Sequence, residues 1–202
     1  DLSERAHQPM VDAARGLTLV FNGTIYNYPE LRAELHASGH VFFYDGDTEV
    51  ILRAYAEWGE ACVERLHGMF AFAIWNSRRQ ELFLARDRLG IKPLYFAPGA
   101  THFRFASTLQ ALLAAGWVDT AIDPVALHHQ FTLHASVPAP CTILRGVRKL
   151  EQGTTLTLDA QGRTKTCRYW SLPAQRPPVA KSEEEWTEAI HAALRQAVKK
   201  RL

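Results

Sequence analysis

Gly68-Met69-Phe70-Ala71-Phe72-Ala73-Ile74-Trp75 is the stretch that decides the fold. Phe70, Phe72 and Ile74 alternate with Ala71, Ala73 and Trp75, and successive side chains of a strand point to opposite faces. Both faces are apolar, so the strand is packed on two sides, with small residues on one of them. Residues 81–85, 94–97 and 103–106 predict three more strands, separated by turns rich in Gly, Pro, Asn and Arg. Such short connections force antiparallel pairing, because parallel neighbours need long crossovers. Two packed sheets covered by helices satisfy this pattern.

Upstream, residues 1–16 show no apolar period, and Leu17 to Phe21 predicts a short buried strand ended by an Asn22-Gly23 turn. Pro29 suits the first turn of a helix over 29–37, with Leu31, Leu35 and Ala33 inward and a stop at Ser38-Gly39. Val41-Phe42-Phe43 predicts a short strand. Asp47 is the expected N-cap of a helix that runs to Trp58 and stops at Gly59. Downstream, Ser107 and Gln110 predict a capping box for a helix ending near Gly116, and Asp123-Pro124 opens another through His128, His129 and Phe131. Residues 154–158 and 164–170 read as a closing hairpin around Gly162. Residues 171–181, with Pro173, Pro177 and Pro178, read as a linker. Ser182 and Glu185 then box a helix of about twenty residues with Trp186, Ile190, Ala193, Leu194 and Ala197 on one side. The predicted organisation is a domain over 1–170, a linker over 171–181, and over 182–202 the first helix of a further domain.

The 202 residues are 47% hydrophobic and 22% charged, the balance of a chain able to bury a core. Lys and Arg number 23 against 21 acidic residues, a formal charge of +2, which argues against nucleic acid as a partner. The basic run Lys199-Lys200-Arg201 ends a helix and complements its dipole. No apolar stretch approaches a membrane span. Cys62, Cys141 and Cys167 are scattered and have no metal-ligand spacing, which predicts reduced thiols in a cytoplasmic protein. His128, His129 and His134 are poorly spaced for one metal, so no metal site is expected.

Two positions carry candidate chemistry. A strand that ends in Asn22-Gly23 exposes backbone N–H groups with no side chain in the way, and can hold a substrate oxygen as it becomes negative. Asp47, at a helix start, is both a cap and a carboxylate open to a ligand cation.

Four segments together resemble the glutamine-hydrolysing domain of class II amidotransferases of the asparagine synthetase type. They are Val20 to Tyr28, Asp45-Gly46-Asp47-Thr48-Glu49-Val50, Gly68 to Trp75, and Arg86-Asp87-Arg88-Leu89-Gly90-Ile91-Lys92-Pro93-Leu94-Tyr95. His7-Gln8-Pro9-Met10 and Asp1-Leu2-Ser3 extend the likeness. Phe105 to Leu109, Val118 to His129 and His134 to Pro140 are more similar to the bacterial N-acetylglutaminylglutamine amidotransferase branch.

The resemblance implies an α+β fold, a four-layer αββα sandwich of the N-terminal-nucleophile hydrolase type with mostly antiparallel sheets, incomplete at its N-terminus. It implies that Asn22 and Gly23 form the oxyanion hole and that Asp47 holds the α-amino group of glutamine. Asp87 is expected to pair with Arg86 or Arg88. Thr24 stands where the family string carries a glutamate.

The family nucleophile is an N-terminal cysteine, absent from this sequence. The arginine that grips the glutamine carboxylate, and the phosphate loop of a synthetase domain, are absent too. The expectation is therefore a truncated, inactive part of a glutamine-dependent amidotransferase. It has no cofactor of its own; ATP and Mg belong to a C-terminal synthetase domain. Exposed sheet edges predict self-association into a homo-oligomer. Two other readings stay open: a non-catalytic binding module with a degenerate glutaminase fold, and a hydrolase with an internal nucleophile.

Overall fold

The computed structural model describes residues 7–175 and 180–201. Asp1-Leu2-Ser3, Pro177 and Pro178, on which two of the sequence readings rest, lie outside the described residues. The chain divides at Trp170 into two units.

In the first unit, strand β3 (Gly68–Asn76) is central. The six-stranded sheet has the order β1 (Met10–Asp12), β2 (Leu17–Ile25), β3, β4 (Glu81–Arg86), β8 (Thr154–Leu158), β9 (Thr164–Arg168), and every pairing is antiparallel. A second sheet runs β6 (Phe103–Ala106), β5 (Tyr95–Pro98), β7 (Arg148–Lys149), also antiparallel.

The two faces of β3 do what the alternation predicts. Phe70, Phe72 and Ile74 join a core with Leu31 and Leu35 of α1 (Tyr28–Ala37), with Val50, Ile51 and Tyr55 of α2 (Asp47–Trp58), and with Cys62 and Val63 of α3 (Cys62–Arg65). Ala71 and Ala73 face the other way, into a second core with Leu84, Leu94, Leu150 and Leu156, against which Phe96, Phe103 and Phe105 of the second sheet pack. Small residues on that face let the two sheets approach. Helix α4 (Leu109–Ala114) lies on the second sheet and buries Leu112. The result is α+β with four layers, helix, sheet, sheet, helix. Helix α5 (Pro124–Thr132) is capped by Asp123, whose carboxylate accepts from Val125 and Ala126 N–H.

Several expectations are corrected. Asn22-Gly23 is not a turn: β2 runs straight through it, and Gly23 sits opposite Phe70. Val41 to Phe43 is not a strand; Val41 and Phe43 are exposed and their loop leads into α2. Ala33 is exposed on α1. The N-cap of α2 is Gly46, not Asp47, whose carboxylate turns back to β2. The cap of α4 is Thr108, whose hydroxyl accepts from Ala111 N–H, so Ser107 and Gln110 form no box. Strands β1 and β7, of three and two residues, are too short to announce themselves by periodicity.

In the second unit, α6 (Glu183–Lys199) starts at a complete capping box: Glu185 N–H donates to Ser182 Oγ, and the Glu185 carboxylate accepts from Ser182 N–H. Trp186, Ile190, Leu194 and Val198 make an exposed stripe at every fourth position along it. No helix among the described residues is long and apolar enough to cross a membrane.

Candidate functional site

The outer edge of β2 builds the site. Met10 of β1 pairs Leu19, so the backbone ladder from β1 ends there. Beyond it, residues 21, 23 and 25 point their N–H groups to the side β1 has left, because these groups alternate along a strand. The pairing with β3 agrees: Phe70, opposite Gly23, sends both its N–H and its C=O to Asp87 on the far side, at 3.2 and 2.8 Å. Of the three β2 groups, Phe21 is engaged by the Gln8 side chain, and Ile25 N–H donates to Asp47 Oδ2 at 2.9 Å. Gly23 lies between these two anchors. Its own backbone explains why it is glycine: a Cβ there would meet the Met69 carbonyl oxygen at 2.2 Å and Phe70 Cα at 2.8 Å.

A cleft of about 220 Å³ opens on this edge, lined by Gln8, Asn22, Gly23, Gly46, Asp47 and Thr48, with Phe21 and Tyr44 behind. Asn22, Gly23 and Asp47, chosen from the sequence, thus share one concave surface. Asp47 reaches it from the first turn of α2 and ties that helix to β2. One oxygen accepts the Ile25 N–H, and a carboxylate has further lone pairs for a ligand cation.

The loop that delivers Asp47 is fixed from below. Buried Glu49 accepts from Phe43 N–H at 3.0 Å and Tyr44 N–H at 3.3 Å, and its own N–H donates to the Tyr44 hydroxyl. Its other oxygen takes Arg53 at 2.9 Å, and Arg53 also donates to Asp12 of β1. Burial raises the Asp12 carboxyl, but the Arg15 hydrogen bonds and the Arg53 charge outweigh it and hold the group below its ordinary value. Two carboxylates flank one buried guanidinium, which an isolated position would expel; they take its two terminal nitrogens, and its Nε is left without a hydrogen-bond partner.

Asp87 corrects a further expectation. Among the described residues no ion pair joins it to Arg86 or Arg88. Instead its buried carboxylate accepts four backbone N–H groups: Leu89 and Ile91 on one oxygen, Phe70 and Lys92 on the other. Arg86 mirrors it, donating to the carbonyls of Gly90, Lys92 and Leu150. One anion and one cation between them order the loop after β4.

None of the cysteines reaches the cleft. Cys62 is fully buried in the helix-side core, where burial pushes its thiol up, away from the reactive thiolate. Cys141 lines a separate hollow with Asp123, Thr142 and Arg145, and Cys167 is exposed on β9. Among the described residues no group of His, Cys, Asp and Glu could hold a metal ion.

The family model described as a glutamine amidotransferase domain matches residues 1–170. The chain belongs to this family. Among curated relatives, asparagine synthetase [glutamine-hydrolyzing] 3 of Bacillus subtilis is 38% identical over 175 residues, 86% of this chain and 28% of its own length. A putative asparagine synthetase [glutamine-hydrolyzing] of Mycobacterium bovis is 41% identical over 208 residues, 98% of this chain and 32% of its own length. The chain therefore spans about a third of these relatives. Among solved structures, glutamine phosphoribosylpyrophosphate amidotransferase from B. subtilis superposes with a TM-score of 0.57 at 20% identity, over 83% of this chain and 33% of its own. At that identity the likeness is one of fold, and the fold is that of the N-terminal-nucleophile type of glutamine amidotransferase.

The residue that sequence reasoning passed over is Gln8, quoted only as part of a longer string. Nothing local marks it, because its partner is Phe21 on β2, thirteen residues away.

Proposed function

We propose that this chain is the glutamine-hydrolysing part of an ATP-using amidotransferase, with Asn22 and Gly23 as the oxyanion hole and Asp47 as the anchor for the glutamine α-amino group. One observation carries the reading: the β2 edge holds Gly23 between Gln8 and the Asp47 carboxylate, in a cleft that Asn22 also lines.

The chemistry follows from that placement. A thiolate adds to the side-chain amide carbon, and the carbonyl π pair moves onto oxygen. The Asn22 side-chain N–H and the Gly23 N–H stabilise that oxygen more than they stabilise the neutral carbonyl, which is what lowers a barrier. The base that took the thiol's proton returns it to the amide nitrogen, collapse breaks the C–N bond, and ammonia leaves. Water then hydrolyses the thioester to glutamate. Asp47 sets where the amide carbon sits by holding the far end of the substrate.

With Cys62, Cys141 and Cys167 all outside the cleft, we infer that these 202 residues alone do not hydrolyse glutamine and that the thiolate comes from elsewhere in the parent protein. ATP and Mg²⁺ would serve a synthetase part, where ammonia attacks an activated carboxylate; the relatives' name, asparagine synthetase [glutamine-hydrolyzing], supports a synthetase part, and α6, with its exposed apolar stripe, would be that part's first element. The acceptor would be a carboxylate: the relatives' name, asparagine synthetase, favours aspartate, and the resemblance at 105–109, 118–129 and 134–140 favours an acetylated glutamine dipeptide. Three free cysteines support a cytoplasmic setting.

The test is ammonia release from glutamine by this chain and by the protein extended to its natural start. The reading predicts release by the extended protein only. Release by the 202 residues would overturn it in favour of an internal nucleophile, and silence from both would favour a binding module.

A further inference from the structure

Gln8 replaces a missing piece of backbone. The β1–β2 register pairs Met10 with Leu19, Val11 with Thr18 and Asp12 with Leu17. Continued by two residues, it sets Gln8 opposite Phe21. The ladder ends at Met10, and Pro9, next in register opposite Val20, falls where backbone groups point away from β2. Opposite Phe21 the Gln8 side chain supplies both halves of a backbone pair: Oε1 accepts the Phe21 N–H at 2.6 Å, and Nε2 donates to the Phe21 carbonyl at 2.9 Å. A primary amide is the side chain that can copy a peptide group in this way, since it offers one acceptor and one donor in a plane.

The consequence falls on the next two residues. Phe21 is bonded directly to Asn22, and Gln8 lines the same cleft as Asn22, Gly23 and Asp47. Without the clamp, β2 would be held beyond Leu19 from the β3 side and by the single Asp47 contact at Ile25. A strand anchored on one edge twists and breathes more freely than one anchored on both. Oxyanion donors work only when fixed before the charge appears.

We propose that Gln8 is a positioning residue for glutamine hydrolysis: its side-chain amide, acting through Phe21, fixes the Asn22-Gly23 segment in the orientation that meets the developing oxyanion. This rests on the glutaminase reading above. Gln8 touches no reacting atom; it acts on the rate through the strand.

The experiment uses the protein extended to its natural start, with Gln8→Leu, which keeps the bulk and loses both hydrogen bonds, and Gln8→Glu, which keeps an acceptor for Phe21 N–H and loses the donor. Gln8→Leu is expected to lower kcat for glutamine hydrolysis at least about tenfold, with KM within about twofold, since the loss falls on the transition state. Gln8→Glu is expected to fall between Gln8→Leu and the parent. In an Asn22→Ala background the same Leu substitution is expected to cost much less, because the two residues act as one unit. Amide hydrogen exchange at Phe21, faster in Gln8→Leu than in the parent, reads the clamp without turnover and also reports on any variant that folds poorly.

A kcat unchanged within about twofold, or an effect fully additive with Asn22→Ala, overturns the proposal. So does equal protection of Phe21 in parent and variant. An extended parent that releases no ammonia sinks the glutaminase reading itself, and the exchange at Phe21 still decides whether the clamp exists.

Discussion

At Asp47 a single carboxylate serves two masters, and substitutions can separate them. It accepts the Ile25 N–H at 2.9 Å and lines the cleft, where we propose that it meets a substrate ammonium. Asp47→Asn keeps an oxygen for Ile25 and loses the charge. In the extended protein we expect KM for glutamine to rise at least about tenfold, with the unfolding midpoint little changed, since a charge-assisted contact is the stronger kind. Asp47→Ala removes both roles and is expected to lower stability as well; steady-state kinetics alongside thermal melts check the pair. Asp87 is the contrasting case, a carboxylate with structural work alone. Asp87→Asn offers one oxygen where two stood and turns an NH₂ toward backbone donors, leaving two backbone N–H groups unpaired. The expected loss is about 2–4 kcal/mol of unfolding free energy, measured by denaturant titration.

The elements divide by how local their causes are. Strand β3 is legible because its alternation is written in consecutive residues, and both of its faces found the cores predicted for them. The caps at Asp123 and Ser182 are legible for the same reason, since donor and acceptor lie within three residues. Asn22-Gly23 misleads because the dipeptide favours a turn locally, while nine consecutive pairings with β3 hold it straight, a cause about fifty residues away. Asp47 misleads likewise: its partner is Ile25 on another element, not its own helix. Of the site, the residue types at Asn22, Gly23 and Asp47 were readable; the Gln8 clamp was not, because it exists only once the chain before β1 lies beside β2, nor was the Glu49–Arg53–Asp12 support, which exists only once β1 lies beside α2. That support has a pH signature. The folded Asp12 carboxyl is held below its ordinary value, so its contribution is present above about pH 4 and is lost as pH falls through the folded value. The unfolding midpoint is expected to drop on acidification in that range, and less steeply in Asp12→Asn.

For the whole molecule, two sheets back to back place the β2 edge at the mouth of a cleft, and the helix-side layer carries the carboxylate that faces it. This is why a strand that never turns can still present Gly23 to a ligand: β1 stops short, and a side chain and a helix fill in on either side of it. The account stands on that cleft being where glutamine binds. The most direct measurement is amide hydrogen exchange across the extended protein with and without saturating glutamine. The account predicts added protection in residues 20–25 and 44–48, with little change around Cys141 or along α6. Protection confined to other regions, or none at saturation, would contradict it.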